Sequence, residues 1–63
     1  MKKSYLIQQI NSEKFWSSKH RRFTNYSYAD SFRSEETALW CAKEDNVGIF
    51  KITEIYDTRE YEK

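Results

Sequence analysis

The sequence predicts a small α+β domain in which one helix packs on an antiparallel sheet of three or four strands. Three observations support this fold class. Short stretches rich in aromatic and β-branched residues alternate with polar turn residues, which is typical of strands joined by tight turns. One uninterrupted segment after Ser34 carries helix-capping residues, and the chain contains no proline. The 63 residues leave room for one hydrophobic core, so we expect a single domain over residues 1–63.

The first half of the chain predicts three strands. Residues 5–10 are bulky and apolar, and a polar break at 11–13 separates them from a second strand at 14–17. A third strand is expected at 22–24. The charged residues 18–21 between the second and third strands then form an exposed hairpin tip. Residues 25–31 are a connection that contains two tyrosines and several turn formers, and its internal structure stays open.

The second half predicts a helix and a long strand, in the order β-β-β-α-β. Ser34 is a good N-cap, and acidic residues in the following turn favour the positive end of the helix dipole. The helix should cover 35–45, and Asn46 suits the left-handed residue that ends it. Residues 47–56 are dense in β-branched and aromatic side chains, which predicts the longest strand. The charged tail 57–63 is expected to fray, although Tyr61 could anchor it.

One face of the predicted helix is made of small and apolar residues. At 100° per residue, one side carries Ala38, Leu39, Cys41 and Ala42, and Trp40 points to the opposite side. Two interpretations of Trp40 stay open. Either the 25–31 connection or the C-terminal tail covers its ring, or the ring is exposed and contacts a partner.

The composition argues against an enzyme and against a bound cofactor. A single cysteine, a single histidine and a single glycine exclude an intrachain disulfide, a Cys/His zinc set and a glycine-rich phosphate loop. His20 and Cys41 could form a base–nucleophile pair. We expect them apart, because His20 belongs to the charged tip and Cys41 to the core side of the helix. We therefore predict no enzyme activity, no metal and no cofactor.

The same features predict a cytoplasmic protein without a membrane segment. A lone cysteine fits a reducing compartment, and the apolar stretch at residues 5–7 is too short for a signal peptide or a membrane span. The net charge of +1 conceals an asymmetry, since residues 1–33 carry seven Lys/Arg and two acids, and residues 34–63 carry eight acids and four Lys/Arg. This split makes either a dipolar surface or cross-strand pairing between the halves, and we favour the pairing.

The strongest functional signal is a basic tip next to aromatic residues. Basic groups beside exposed rings can hold phosphates and stack on bases, or they can contact an acidic patch on a protein. The near-neutral chain disfavours nucleic acid, and a solvated hairpin with its rings in the core is the simpler alternative. Tyrosine and tryptophan are favoured at protein interfaces. The predicted partner-binding residues are Lys19, Arg21, Arg22, Tyr26, Tyr28 and Trp40, and a homodimer is compatible with them.

Residues 29–38 form the pattern A-x-x-F-x-S-x-E-x-A, which is followed by V-x-I-x-x-I at residues 47–52. With the preceding short strands, this layout resembles small bacteriophage-encoded accessory proteins, among them anti-CRISPR and other anti-defence proteins. The resemblance covers most of the chain at the level of layout and transfers no functional residues. It implies an accessory protein that binds and inhibits or redirects a host protein without catalysis, with a small nucleic-acid-binding module as the alternative.

Overall fold

The computed structural model describes residues 2–57 of the chain, and it shows four strands and one α-helix. The elements are β1 (Lys2–Gln9), β2 (Phe15–Ser17), β3 (Arg22–Thr24), α1 (Glu35–Glu44) and β4 (Phe50–Asp57), with a 3₁₀ helix at Tyr26–Tyr28. The strands form one antiparallel sheet in the order β3-β2-β1-β4. This arrangement confirms the predicted α+β fold with one helix.

The two long strands differ from their predicted bounds at both ends. β1 begins at Lys2 rather than at residue 5, because it pairs with β4 along its whole length, from Lys2 opposite Asp57 to Gln9 opposite Phe50. β4 begins at Phe50 rather than at residue 47, because Gly48 has a φ of 91° and turns the chain before the strand. The predicted fraying of the tail concerns residues 58–63, which lie outside the described residues.

The signals at the ends of the helix are confirmed. The Ser34 hydroxyl accepts a hydrogen bond from the backbone N–H of Thr37 at 3.2 Å, which satisfies one of the free donors at the helix start. The helix ends at Glu44 with Asp45 as C-cap, and Asn46 has the expected left-handed φ of 53°. The N–H of Val47 then donates to the Ala42 carbonyl, which ties the chain back to the helix before β4.

The main core lies between α1 and one face of the sheet, called here the helix face. Its buried members are Ile7, Trp16, Phe32, Ala38, Cys41 and Ala42. The small residues of the helix let it sit close to the sheet, as expected. The prediction that Leu39 belongs to the buried stripe is wrong, because its side chain is 39% exposed. Leu39 lies about 100° around the helix from Ala38 and so falls at the border of the stripe.

Residues 30–32 lie between β1 and β2 where these two strands separate. Phe32 forms a two-bond bridge with Tyr5 of β1, and the N–H of Asp30 donates to the Trp16 carbonyl of β2 at 3.1 Å. Because the segment takes up backbone bonds that paired strands would otherwise make, it is fixed in the sheet plane. Ala29, Asp30, Ser31 and Phe32 are consequently all buried. This segment holds the 3₁₀ helix against the rest of the domain.

Candidate functional site: a basic–tyrosine face

The β2–β3 hairpin presents the predicted basic tip. Its four-residue loop is closed by a hydrogen bond from the Arg21 N–H to the Ser17 carbonyl at 2.7 Å. Arg21 takes a left-handed φ of 54°, which is uncommon for a residue other than glycine, asparagine or aspartate. Lys19, Arg21 and Arg22 are all exposed. The loop therefore places three cationic side chains at one end of the domain.

A serine and a histidine fix the shape of this loop. The Ser17 hydroxyl lies 3.0 Å from His20 Nδ1, and it also accepts a bond from the His20 backbone N–H at 3.3 Å. Ser17 is completely buried. Both bonds span three residues and stabilise the turn from inside, so His20 is held in place at its inner side. Nothing in the sequence pattern alone indicated this pair.

The two predicted tyrosines belong to the 3₁₀ helix, and each ring packs on an aromatic residue of the hairpin. The Tyr28 ring meets His20 edge-on, with centroids 5.5 Å apart and an interplanar angle of 68°. The Tyr26 ring meets Phe15 in the same manner at 5.9 Å and 77°. Tyr26 is nevertheless 43% exposed and Tyr28 58% exposed. Both rings are ordered by a neighbour on one side and open to solvent on the other.

Asp30 connects the tyrosine segment to the basic tip. One of its carboxylate oxygens, Oδ2, accepts a hydrogen bond from the Ser18 N–H at 3.1 Å, and its own N–H donates to the Trp16 carbonyl. The residue as a whole is 4% exposed, so Asp30 acts on the loop from below rather than on the surface. Sequence reasoning missed this role. Asp30 stands among turn-forming residues, and the contact spans twelve positions in the chain.

The pleat of the sheet decides which predicted residues share a surface. Trp16 points to the helix face, because its indole Nε1 donates to Asp45 of the helix end at 3.0 Å. Alternate residues of a strand point to opposite sides, so Phe15 and Ser17 point to the other face. Arg22 pairs with Ser17 and shares that face. Tyr26 packs on Phe15 and Tyr28 packs on His20, so both tyrosines lie on that face as well.

Five of the six predicted residues therefore come together. Arg22, Tyr26 and Tyr28 lie on the face opposite the helix, and Lys19 and Arg21 border it at the hairpin tip. We call these five residues the basic–tyrosine face.

Trp40 is separated from this group. It lies on the outer side of α1, with 62% of its surface exposed, and so is on the other side of the sheet. Within the 25–31 connection, Tyr26 and Tyr28 pack on the face away from the helix and residues 30–31 lie in the sheet plane, so the connection does not cover the ring. The other predicted cover, the C-terminal tail, lies outside the described residues beyond Asp57. Trp40 itself is an exposed aromatic residue away from the basic–tyrosine face.

The strand order keeps the basic tip away from most acids. β3 and β4 occupy opposite edges of the sheet, and the acidic residues of α1 lie beyond the helix face. Lys3 and Glu54 do form an ion pair at 3.7 Å, as expected for β1 beside β4. Among the described residues, Lys19, Arg21 and Arg22 have no ion-pair partner. The halves of the chain therefore pair across β1 and β4, but the hairpin remains basic.

A depression of about 480 Å³ adjoins the basic–tyrosine face at Tyr26. It lies between the β1–β2 turn and the start of the 3₁₀ helix, and it is lined by Asn11, Ser12, Glu13, Lys14, Asn25 and Tyr26. The lining offers hydrogen-bond donors and acceptors beside one aromatic ring. A partner residue that contacts Tyr26 could place a polar group in this depression.

Two possible nucleophiles, Ser17 and Cys41, are both buried. Ser17 and His20 are in contact, but the serine hydroxyl is fully buried and no substrate can reach it in this conformation. Cys41 is buried on the helix face, on the opposite side of the sheet from His20. Within residues 2–57, no three His, Cys, Asp or Glu side chains converge as a metal site would require.

Comparisons of the chain with protein-family models, curated proteins and solved structures found no match. Within the described part of the chain, α1 falls short of the length and apolar character that crossing a membrane requires.

Proposed function

We propose that this protein binds a partner protein through the basic–tyrosine face and thereby inhibits or redirects it, without a reaction of its own. The observation that carries the proposal is the position of Tyr26 and Tyr28, two ordered and exposed rings beside three cations. Tyrosine and arginine dominate the energy of many protein interfaces, since each combines a large contact area with a hydrogen-bonding group.

The order of the two rings lowers the cost of binding. A side chain that loses rotamer freedom in a complex costs about 0.5–1.5 kcal/mol. Tyr28 is held against His20, which Ser17 holds in turn, so part of this cost is met in the free protein. Asp30 fixes Ser18 below the same surface. The face is therefore preorganised, although it is built largely from a loop and a single 3₁₀ turn.

The charge of the face indicates the kind of partner. Lys19, Arg21 and Arg22 favour an acidic patch, since complementary charge accelerates encounter and disfavours basic partners. As part of the proposal, the partner is a host protein and the chain a phage-type accessory protein that acts in the host cytoplasm. This part is supported by the resemblance in layout alone. A homodimer is compatible with it.

The proposal is tested by capture of partners from host lysate with the tagged full chain. We expect a protein retained by the wild type to be lost with Arg22→Ala and with Tyr28→Ala. Trp40→Ala is the matched control, because it removes an exposed aromatic ring on the opposite side of the sheet. Equal capture by all four proteins, or a loss caused only by Trp40→Ala, would contradict the proposal.

A small nucleic-acid-binding module is the second candidate. One observation favours it, since exposed tyrosine rings beside arginines can also stack on unpaired bases. This function predicts that affinity for a single-stranded oligonucleotide falls steeply with salt, with a log–log slope of about −2 for three phosphate contacts. Absence of binding at low salt would remove this candidate and leave the protein-binding proposal in place.

A further inference from the structure

Within residues 2–57, the strand β4 forms an open edge of the sheet. Residues of an antiparallel strand direct their N–H and C=O groups alternately to one neighbour and then to the other. On β1, Tyr5 bonds to Phe32 and Gln9 to Lys14, both at 2.9 Å and both on the β2 side. The alternate residues that lie between them, Leu6 and Gln8, therefore bond to β4.

The register then identifies which groups of β4 are open. Leu6 pairs with Thr53, so Thr53 points its backbone groups inward. The outward backbone groups belong to Phe50, Ile52, Glu54 and Tyr56. Within the described residues, no strand lies on that side of β4. Monomeric proteins usually interrupt such an edge with a bulge, proline or short strand, but β4 runs for eight residues without a proline.

One side of α1 faces this edge of the sheet. Asp45 accepts a bond from Trp16, and Cys41 contacts the same carboxylate, so their side of the helix faces β2. The opposite flank faces β4. It carries Glu35, Leu39 and Lys43, which are spaced four residues apart and are all exposed. Glu35, Leu39 and Lys43 thus form a row of an acidic, an apolar and a basic side chain on the flank of α1 that faces β4.

We propose that β4 pairs antiparallel with β4 of a second copy of this chain. The two-fold axis is perpendicular to the sheet and passes between the two Thr53 residues. In this register Phe50 of one copy opposes Tyr56 of the other, and Ile52 opposes Glu54. The outward backbone N–H and C=O groups of all four residues in each copy are then hydrogen-bonded to the other copy. The product is a continuous sheet of eight strands with the two helices on one side.

Charge complementarity identifies a second copy as the occupant of the edge. The axis relates the helices as antiparallel neighbours that meet at Leu39, the middle residue of the exposed row. Glu35 of one copy then faces Lys43 of the other, and the pair occurs twice. Neither residue has an ion-pair partner among the described residues. With strands about 4.8 Å apart, the helix axes lie roughly 10–14 Å apart, within reach of these long side chains.

The alternative registers are less favourable. A shift of two residues in one direction places Glu54 against Glu54 at the axis, and like charges directly opposite are destabilising. A shift in the other direction leaves the backbone groups of Tyr56 unpaired. A shift of one residue would bring side chains of opposite faces together, which the pleat forbids. The proposed register also covers Tyr56, which is 63% exposed in the single chain.

The dimer carries two basic–tyrosine faces on one side. The hairpin lies at the far edge from β4, so pairing leaves it free. Three strand spacings separate β3 from β4, and the segment 30–32 adds a fourth at the level of the hairpin tip, which puts the two tips about 40–45 Å apart. The inference is independent of what those faces bind.

The test measures the mass of the full chain by sedimentation over a wide concentration range. We expect a transition from 7.7 kDa to twice that mass as concentration rises. Glu54→Pro removes an outward N–H without touching the bonds to β1, and Glu54→Ala is its matched control because both variants lose the Lys3 ion pair. We expect the proline variant to remain monomeric and the alanine variant to dimerise.

The helix contact is tested by charge exchange. Lys43→Glu should weaken the dimer about tenfold, and the double variant Glu35→Lys, Lys43→Glu should restore it, whatever the fate of the proline variant. A wild type that stays monomeric at millimolar concentration would overturn the proposal. So would a dimer that is indifferent to Glu54→Pro and to Lys43→Glu, or an edge that binds only a foreign peptide.

Discussion

Replacing Arg21 with glycine is expected to stabilise the fold and to weaken partner binding at the same time. Arg21 closes the hairpin loop with a φ of 54°, where its Cβ crowds the following carbonyl. Its N–H bond to Ser17 depends on the backbone alone and survives the substitution. The substitution removes the guanidinium, which belongs to the basic–tyrosine face. The two effects therefore have separate physical causes.

The expected change in the free energy of unfolding is the difference between two opposing contributions. A left-handed conformation costs a residue with a Cβ about 1–2 kcal/mol, and glycine avoids that cost. Glycine loses more backbone entropy on folding, which costs about 0.5–1 kcal/mol. Taken at the middle of each range, the two contributions leave a net gain of about 0.5–1 kcal/mol for Arg21→Gly. In a domain of this size it corresponds to roughly 2–8 °C in the melting temperature.

The assay is urea unfolding followed by tryptophan fluorescence, which reports on the buried Trp16. Arg21→Ala is the matched control, since it removes the same guanidinium but keeps the Cβ. We expect the midpoint to rise for the glycine variant only, at an unchanged denaturant slope. Capture of the partner should fall by about tenfold for both variants, as expected for one lost interface arginine.

Each outcome refutes a different part of the reasoning. If the glycine variant is no more stable than the alanine variant, the left-handed conformation of Arg21 costs nothing and the explanation is wrong. If both variants capture the partner as well as the wild type does, Arg21 lies outside the interface. Restoration of binding by Arg21→Lys would show that charge rather than a forked hydrogen bond is required.

Three further substitutions test the remaining structural reasoning. Asp45→Ala removes the acceptor of the Trp16 indole, so it should lower the free energy of unfolding by about 1.5 kcal/mol, and an unchanged urea midpoint would contradict the hydrogen bond. Ser4→Ala should raise that free energy by up to about 1 kcal/mol, because the Ser4 hydroxyl is buried and has no hydrogen-bond partner among residues 2–57; a fall would show that it has one. Trp40→Ala should change stability by less than about 0.5 kcal/mol, since the ring is mostly exposed, and a loss of several times that value would show that it is packed.

The elements whose signals are local were predictable from the sequence. The third strand matches its predicted bounds, and the cap at Ser34 and the left-handed Asn46 follow from the preferences of those residue types. Leu39 was placed wrongly because a buried stripe has a centre and borders, and only contact with the sheet decides where the border falls. The predicted start of β4 at residue 47 was too early, because Gly48 has a positive φ that turns the chain. The strand-forming residues around Gly48 gave no sign of this turn.

The grouping of the site residues depends on contacts between distant parts of the chain. The sequence suggested Tyr28 and Trp40 for the same reason, namely aromatic surplus, but could not tell that they lie on opposite sides of the sheet. That separation follows from the direction of Trp16 toward Asp45, a contact across 29 positions. The contact of Asp30 with Ser18 could not be predicted either, because Asp30 lies in a connection that has no helical or strand periodicity. Such long-range pairs leave no pattern in a single sequence.

The distribution of charge shows why a chain with a net charge of +1 can still present a basic surface. Pairing of β1 with β4 brings the basic and acidic halves together, as in the ion pair of Lys3 with Glu54. The β2–β3 hairpin escapes this pairing because two strands separate β3 from β4 in the sheet. Apart from Asp30, which is hydrogen-bonded to Ser18 beneath the loop, its cations are then screened by solvent rather than by neighbouring acids. Salt should therefore weaken partner association mainly by slowing encounter, and Arg22→Ala should reduce that salt dependence; an unchanged dependence would place the steering charge elsewhere.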